Sequence, residues 1–406
     1  MRNQLSFFDD IKTTLDDSIE LSIESLKVHA QRYRHWCVSY SGGKDSTATV
    51  ILIAWAIKNK LIPAPETLHI LYADTRLELI PLQQAALKLL DVLSREGLYT
   101  KVVTPALDER FFVYMFGYGV PPSSNVFRWC TPQLKIKPMM SELYQIACDL
   151  GFGKMIQNES DLGHKFLSFE KEKILTITGV RLGESVARDA RIASSCSKDS
   201  GECGQGWMQA EAPQSVTDTL APLLHWRLCH IYDWLYLDDR HGYDVSGIAE
   251  LYGEEDIRTG CMGCPLISHD IALERLVKRP KWQHLAPLLE LKPLYRQLKL
   301  AKNRLRKVDP EVRKDGQISR NIQRLGPLTM DTRAFGLEQV LDIQRRANVD
   351  LINADEQARI YELWAANAWP RKWDGTEITG DMLIDILTVT GSGAIARQPL
   401  LFETHF

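Results

Sequence analysis

The chain has 406 residues, 45% of them hydrophobic and 25% charged, with a formal net charge of −3. That is too long for one small core and predicts two lobes. No uninterrupted apolar run could span a bilayer, and Met1 to Asp10 has no basic stretch followed by an apolar block, so no membrane partner and no secretory leader are expected and a cytosolic setting follows.

Thr14 to Tyr33 predicts an amphipathic opening helix, with Leu15, Ile19, Ile23, Leu26 and Val28 or Ala30 on one face. Four strand candidates then alternate with helices: Trp36 to Tyr40, Thr67 to Tyr72, Thr100 to Val103, and Ile174 to Val180. Such alternation predicts an α/β fold, a parallel twisted sheet covered by helices, with ligands at the carboxyl ends of its strands. A fifth apolar piece, Leu220 to Leu224, leads into a helix at Cys229 to Leu237, and the Ser- and Gly-rich stretch Ser194 to Gly206 reads as a mobile loop. From about Ile271 the pattern reads as wholly helical, with pieces around 283–306, 334–348 and 354–368. The expected organisation is an N-terminal helix over 1–35, an α/β domain over 36–270 and a basic helical region over 271–406. The last of these carries a charge asymmetry. Between Arg275 and Arg333 stand sixteen Lys and Arg against five Asp and Glu, a local balance of +11 that leaves −14 for the rest.

The most telling local pattern is V-S-Y-S-G-G-K-D-S-T, Val38 to Thr47, followed at once by the helical Ala48, Val50, Ile51 and Ile53. Paired glycines let backbone N–H groups close around an anion, and a helix beginning there aims its positive end at the same place. Ser39, Ser41, Gly42, Gly43, Lys44, Asp45, Ser46 and Thr47 are therefore nucleotide-site candidates. The common nucleotide-binding loop is excluded, since it needs Gly at position 38 and Ser or Thr at 45. Asp74 in Y-A-D-T, and Gly179 with Arg181 in G-V-R-L-G-E-S, close two further strand ends and join the list. Arg181 suits phosphate because a guanidinium grips it with two donors, while Arg188 has a plain alternative in an i,i+4 pair with Glu184.

Eight cysteines in a cytosolic setting are better read as metal or redox ligands than as disulfides. Cys261 and Cys264 form G-C-M-G-C-P, whose two thiolates on one turn can chelate an ion, and Cys130 stands in R-W-C-T-P-Q-L-K-I-K-P. The spacing leaves zinc and an iron-sulfur cluster equally open. A fourth ligand comes from Cys203 or Cys196, with Cys203 preferred for its E-C-G turn. Cys37, Cys148 and Cys229 sit among apolar neighbours and read as core residues.

S-G-G-K-D-S at the end of a first strand resembles the PP-loop of the ATP pyrophosphatase superfamily, which implies an adenine nucleotide alpha hydrolase-like fold and cleavage of ATP between its α and β phosphates. On that resemblance Lys44, Asp45 and Arg181 would be catalytic, and Asp45 would bind magnesium. Within the reductase-like branch for phosphoadenylyl sulfate (PAPS), three motifs in this order resemble the DndC type of DNA phosphorothioation protein or its SspD counterpart: R-W-C-T-P-Q-L-K-I-K-P, then G-V-R-L-G-E-S-V-A-R, then R-T-G-C-M-G-C. The later G-P-L-T-M-D-T-R, Gly326 to Arg333, is similar to the same family. The resemblance implies ATP, a four-iron, four-sulfur cluster at Cys130, Cys203, Cys261 and Cys264, DNA as substrate, a cysteine desulfurase of the DndA or SspA type as sulfur donor, and further phosphorothioation proteins as partners. Sulfonucleotide reduction and tRNA thiolation are the alternative activities. Against the first, reductases of that branch are implied to use a nucleophilic Cys late in the chain, and no Cys follows Cys264.

Overall fold

Each predicted strand is a short apolar run that ends in turn residues, and each is completed by pairing with a neighbour. In a computed structural model of the protein, residues 13–157, 164–168, 172–183, 207–209, 215–252, 259–312, 316, 318–319, 322–389 and 395–398 are described. They fall into two compact units, the first comprising 13–74, 78–104 and 135–259 and the second 75–77, 105–134 and 260–398. The chain thus passes between units more than once, and the segment 105–134, with Cys130, clusters with the C-terminal residues.

The first unit is built on a six-stranded sheet. Its strands are β1 (His35–Tyr40), β2 (Thr67–Ala73), β3 (Tyr99–Val103), β6 (Ile174–Thr178), β7 (Trp207–Gln209) and β8 (Thr217–Ala221), in the order β3-β2-β1-β6-β8-β7. Five are parallel and β7 alone runs antiparallel, on β8. The fifth parallel strand begins at Thr217, earlier than the apolar run from Leu220 suggests. The pair β4 (Gly153–Gln157) and β5 (His164–Ser168) forms a separate antiparallel hairpin.

Alternation of side chains divides the core in two. Trp36, Val38, Tyr40, Ile70, Tyr72, Leu175, Ile177 and Leu220 share one core with α1 (Leu15–Ala30), α2 (Lys44–Lys58) and α3 (Ile80–Arg95). Cys37, Leu71, Val103 and Ile174 turn the other way, against Leu143, Ile146 and Ala147 of α4 (Lys137–Asp149). The opening helix buries Ile19, Ile23 and Leu26 but leaves Val28 exposed; three serines, Ser18, Ser22 and Ser25, complete the inward face. The helix expected at Cys229 to Leu237 is α5 (Leu228–Tyr232), continued over 233–237 by a wider turn. It points His230 and Ile231 inward, so Cys229 is exposed and not a core residue; Cys148 is half-buried, and only Cys37 is fully buried as expected.

The second unit is mainly helical: α7 (Ile271–Leu276), a tight helix over Pro280–Glu290, α8 (Leu291–Leu298), α9 (Met330–Ala347) and α10 (Ala354–Ala365). It is not wholly helical. Short strands β9 (Arg304–Arg306), β10 (Leu325–Leu328) and β11 (Ile378–Thr379) form a three-stranded antiparallel sheet, and β12 (Ile386–Val389) pairs with β13 (Ile395–Gln398). The helix expected over 283–306 ends at Leu298, and its last residues belong to β9. Arg333, from G-P-L-T-M-D-T-R, is fully buried; its Nη1 donates to the Gly117 and Ala368 carbonyls at 2.9 and 3.0 Å, and its guanidinium lies 3.8 Å from the Trp369 ring centroid. That motif residue ties three stretches of the second unit together. Among the described residues no helix is long and apolar enough to cross a membrane.

Candidate nucleotide site

After β1 the chain continues to β2 and β3 on one side, then returns to place β6 and β8 on the other. In open parallel sheets such a reversal of strand order opens a crevice at the carboxyl ends. Here the two strands that flank it are β1, which runs into Ser41–Gly43, and β6, which runs into Gly179–Arg181.

The turn is held by its own hydroxyls. Ser46 Oγ donates to the Gly43 carbonyl at 3.0 Å, accepts from the Ser41 N–H at 3.2 Å and lies 3.0 Å from Ser41 Oγ, while Thr47 Oγ1 donates to the Gly43 carbonyl at 2.9 Å. Gly42 has φ +74°, the left-handed region that a side chain disfavours, and a Cβ there would also press on Ala86 Cβ at 3.1 Å. Gly43 caps α2 without a side-chain bond of its own, which leaves the N-terminus of that helix suited to an anion.

Charge converges on Asp45. Its Oδ1 accepts from Arg181 Nε at 2.6 Å and its Oδ2 lies 3.6 Å from Lys44 Nζ. Lys44 and Arg181 are both buried, with 6% and 7% exposure, so the three groups form a compact cation–carboxylate–cation set at the mouth of the turn. Gly179 acts by its lack of a side chain: a Cβ there would sit 2.7 Å from Ser46 N and 2.8 Å from the Asp45 carbonyl. It lets the end of β6 pack directly on the first turn of α2, which is what brings Arg181 to Asp45. Ser39 pairs with Thr178 in the β1–β6 register. Asp74 follows β2, buried, with its N–H on the Val103 carbonyl at 3.0 Å and a carboxylate oxygen accepting from Gln83 Nε2 at 3.0 Å.

One participant carries no motif of its own in the sequence. Tyr252, at the end of α6 (Ser246–Tyr252), accepts the Lys44 N–H at 3.3 Å, shares a hydrogen bond with Thr259 Oγ1 at 2.7 Å, and sets its ring 4.9 Å from Lys44 Nζ. Burial pushes its phenol up to about 12, so it stays neutral. Only its place beside a Thr 7 residues on was local; its partner Lys44 is 208 residues away in sequence.

The described cysteines of the metal reading lie in the second unit. Cys264 N–H donates to the Cys261 carbonyl at 3.1 Å, closing the tight turn, with Gly263 at φ +59°. Lys292 Nζ donates to the Cys264 carbonyl at 3.3 Å, and the Cys130 N–H to Ser123 Oγ at 3.3 Å. Cys196 and Cys203, with Glu184, Ser185, Arg188 and Arg191, lie outside the described residues. Among the described residues no group of three or more His, Cys, Asp or Glu side chains is placed to hold a metal ion, and Asp45 has two cations in place of a second carboxylate.

The fold and the strand-to-helix anion turn define a PP-loop type of nucleotide-binding α/β protein. Residues 35–267 match the model of the phosphoadenosine phosphosulfate reductase domain, and the chain belongs to that family. A solved PAPS reductase from Candida auris, in a phosphate complex, is similar over 55% of this chain and 87% of its own, at 11% identity and a TM-score of 0.32. No curated protein matches the sequence.

Proposed function

We propose that the chain is an ATP pyrophosphatase of a DNA phosphorothioate modification system. The observation that carries the reading is the convergence of Lys44, Asp45 and Arg181 at a helix N-terminus that can receive phosphates. In this reading the turn Ser41–Ser46 holds the β and γ phosphates of ATP, and the cations of Lys44 and Arg181 stabilise charge as pyrophosphate leaves. A non-bridging oxygen of a DNA phosphodiester attacks the α phosphorus and becomes adenylated. Sulfur carried as a persulfide from a cysteine desulfurase then displaces AMP, and a thiol breaks the remaining S–S bond.

Magnesium at Asp45 would neutralise the departing pyrophosphate, but the carboxylate as placed, between two cations, does not make a magnesium site. A four-iron, four-sulfur cluster on Cys130, Cys203, Cys261 and Cys264 belongs to the same proposal. Within the basic stretch Lys292 and Arg333 are buried, but Arg275, Lys278, Lys281, Arg296 and Lys302 are exposed, and these support a nucleic-acid substrate, since clustered Lys and Arg attract the phosphate backbone without reading sequence.

Family membership favours one further reading, reduction of a sulfonucleotide. Pyrophosphate released from ATP together with sulfur in the DNA backbone, detected by mass analysis of DNA from cells with and without the gene, is the expected result. Sulfite as product, with unmodified DNA, would select the reductase instead.

A further inference from the structure

In the second unit the turn Ser124–Phe127 lifts two apolar side chains into solvent. Val126 is 99% exposed and Phe127 51%, with Asn125 and Arg128 exposed on either side. Single exposed apolar residues are ordinary on any surface. What sets this pair apart is how firmly it is held. Ser124 N–H donates to the Phe127 carbonyl at 3.1 Å, and the Phe127 N–H returns to both the Ser124 carbonyl and its Oγ at 3.1 Å.

The base beneath is equally fixed. Trp129 is buried, stacks on Phe111 with centroids 5.2 Å apart, and donates Nε1–H to the Pro121 carbonyl at 3.0 Å. Ser123 is buried too, and its carbonyl accepts from Lys299 Nζ at 2.7 Å. That bond joins the turn to the most basic run of the chain: from Leu291 to Val308 there are seven Lys and Arg and no Asp or Glu, while Val120 to Leu134 carries Arg128 and no acid. Of that run, Lys292 is buried, Arg304 donates to the Gly326 and Leu325 carbonyls and Lys307 pairs with Glu377; Lys302 is exposed, as is Arg296, whose guanidinium also donates to the Ser268 carbonyl at 3.2 Å.

We propose that this turn is a nucleobase-contacting tip: Val126 and Phe127 insert against or between bases while Arg128, Arg296 and Lys302 take the flanking phosphates. The inference rests on the reading of DNA as substrate. A rigid apolar tip over a cationic base fits a polyanion with flat apolar faces inside it, the way apolar wedges and stacking aromatics engage nucleic acid. A protein partner fits it less well, because two apolar side chains fall far short of the twenty or so residues a stable protein interface uses on each side.

The test uses the full chain and a DNA duplex containing 2-aminopurine, whose fluorescence rises when a base leaves the stack. The wild type is expected to bind with strong salt dependence and to raise the fluorescence. V126S/F127S is expected to keep basal pyrophosphate release from ATP and salt-dependent binding, to lose the fluorescence rise, and to bind about tenfold more weakly. Wild-type binding without a fluorescence change, or equal affinity and equal signal in the variant, overturns the tip while leaving DNA as substrate intact. Wild-type DNA binding retained in the variant, with sulfur transfer from the desulfurase lost, also overturns it and makes the turn a protein-docking element. Absence of any salt-sensitive DNA binding by the wild type removes the substrate reading and the tip together.

Discussion

Asp45 and Arg181 meet at 2.6 Å, carboxylate oxygen to guanidinium Nε, although 136 residues separate them in sequence. The contact links the end of β6 to the first turn of α2, and with Lys44 at 3.6 Å on the other oxygen it concentrates charge where a phosphate would arrive. Replacing Lys44 or Asp45 by Ala is expected to abolish pyrophosphate release from ATP. Arg181→Ala removes one charge-assisted bond, about 1.5–3 kcal/mol, and so about 10- to 100-fold in rate. Unchanged release in Lys44→Ala or Asp45→Ala would show that the turn is not the ATP site.

Tyr252 supplies a second prediction. Its oxygen takes the Lys44 N–H at 3.3 Å, the donor a phosphate oxygen would seek, while its ring covers the Lys44 ammonium. Tyr252→Phe keeps the ring and removes the competing acceptor, so a non-hydrolysable ATP analogue should bind about two- to tenfold more tightly, with kcat unchanged. Tyr252→Ala also loses the cation–π contact, and KM for ATP should rise. Calorimetric titration of both variants checks the two signs; weaker binding in Tyr252→Phe would instead make the hydroxyl a ligand of the phosphate.

The glycines separate packing from backbone strain. Gly179→Ala puts a methyl 2.7 Å from Ser46 N and 2.8 Å from the Asp45 carbonyl, so α2 or β6 must shift, at about 1–3 kcal/mol. Gly97 has φ +89° and nothing within 4 Å of its added Cβ, so Gly97→Ala costs only the left-handed strain, about 1–2 kcal/mol. Urea midpoints should fall in both, while ATP cleavage should fall in Gly179→Ala alone. Normal cleavage by Gly179→Ala would detach the close approach of the strand from catalysis.

These contrasts mark what the sequence conveys. The S-G-G-K-D-S turn was legible because strand, glycines, hydroxyls and helix start are consecutive, and the parallel sheet because each of its central strands is an apolar run bounded by turns. The Asp45–Arg181 pair and Tyr252 were not, since nothing local encodes a contact across 136 or 208 residues. The hairpin β4–β5 and the strand β7 carry no clear strand signal because G-K-M-I-Q, H-K-F-L-S and W-M-Q mix polar with apolar residues, and the small sheets of the second unit because their runs of two to four residues stand outside any alternation of strand and helix. Cys229 was misread because its apolar neighbours, on a helix, face another way.

The cluster proposal has a direct check. Protein purified without oxygen is expected to be brown and to lose its colour in Cys261→Ser, which takes one thiolate from the C-x-x-C turn. A colourless protein carrying zinc would replace the cluster with a structural ion, and a metal-free protein would leave Cys130, Cys261 and Cys264 as plain thiols.

Acid sensitivity should come from four histidines of the first unit. Burial lowers the pKa of His69, His225, His230 and His241 below the ordinary 6.5. Their surroundings explain why the neutral form is kept. His225 donates Nε2–H to the Ser18 carbonyl at 3.0 Å while its Nδ1 has no partner, and His230 donates Nε2–H to the Thr13 carbonyl at 3.1 Å while its Nδ1 accepts the Arg227 N–H at 3.3 Å. A second ring proton would find no acceptor at His225; at His230 it would displace the Arg227 N–H and force the Ser18 hydroxyl, 3.1 Å from Nδ1, to turn and accept. Because the folded pKa values lie below the unfolded one, the unfolded chain binds more protons in between. The stabilisation is full above about pH 6.5 and is lost as pH falls through that value toward the folded pKa values. Each histidine contributes a slope of up to about 1.4 kcal/mol per pH unit. His225→Gln keeps an N–H for Ser18 without titrating, so its urea midpoint should fall less steeply between pH 7 and pH 5 than that of the wild type. An equally steep fall in the variant would assign the acid sensitivity to other groups.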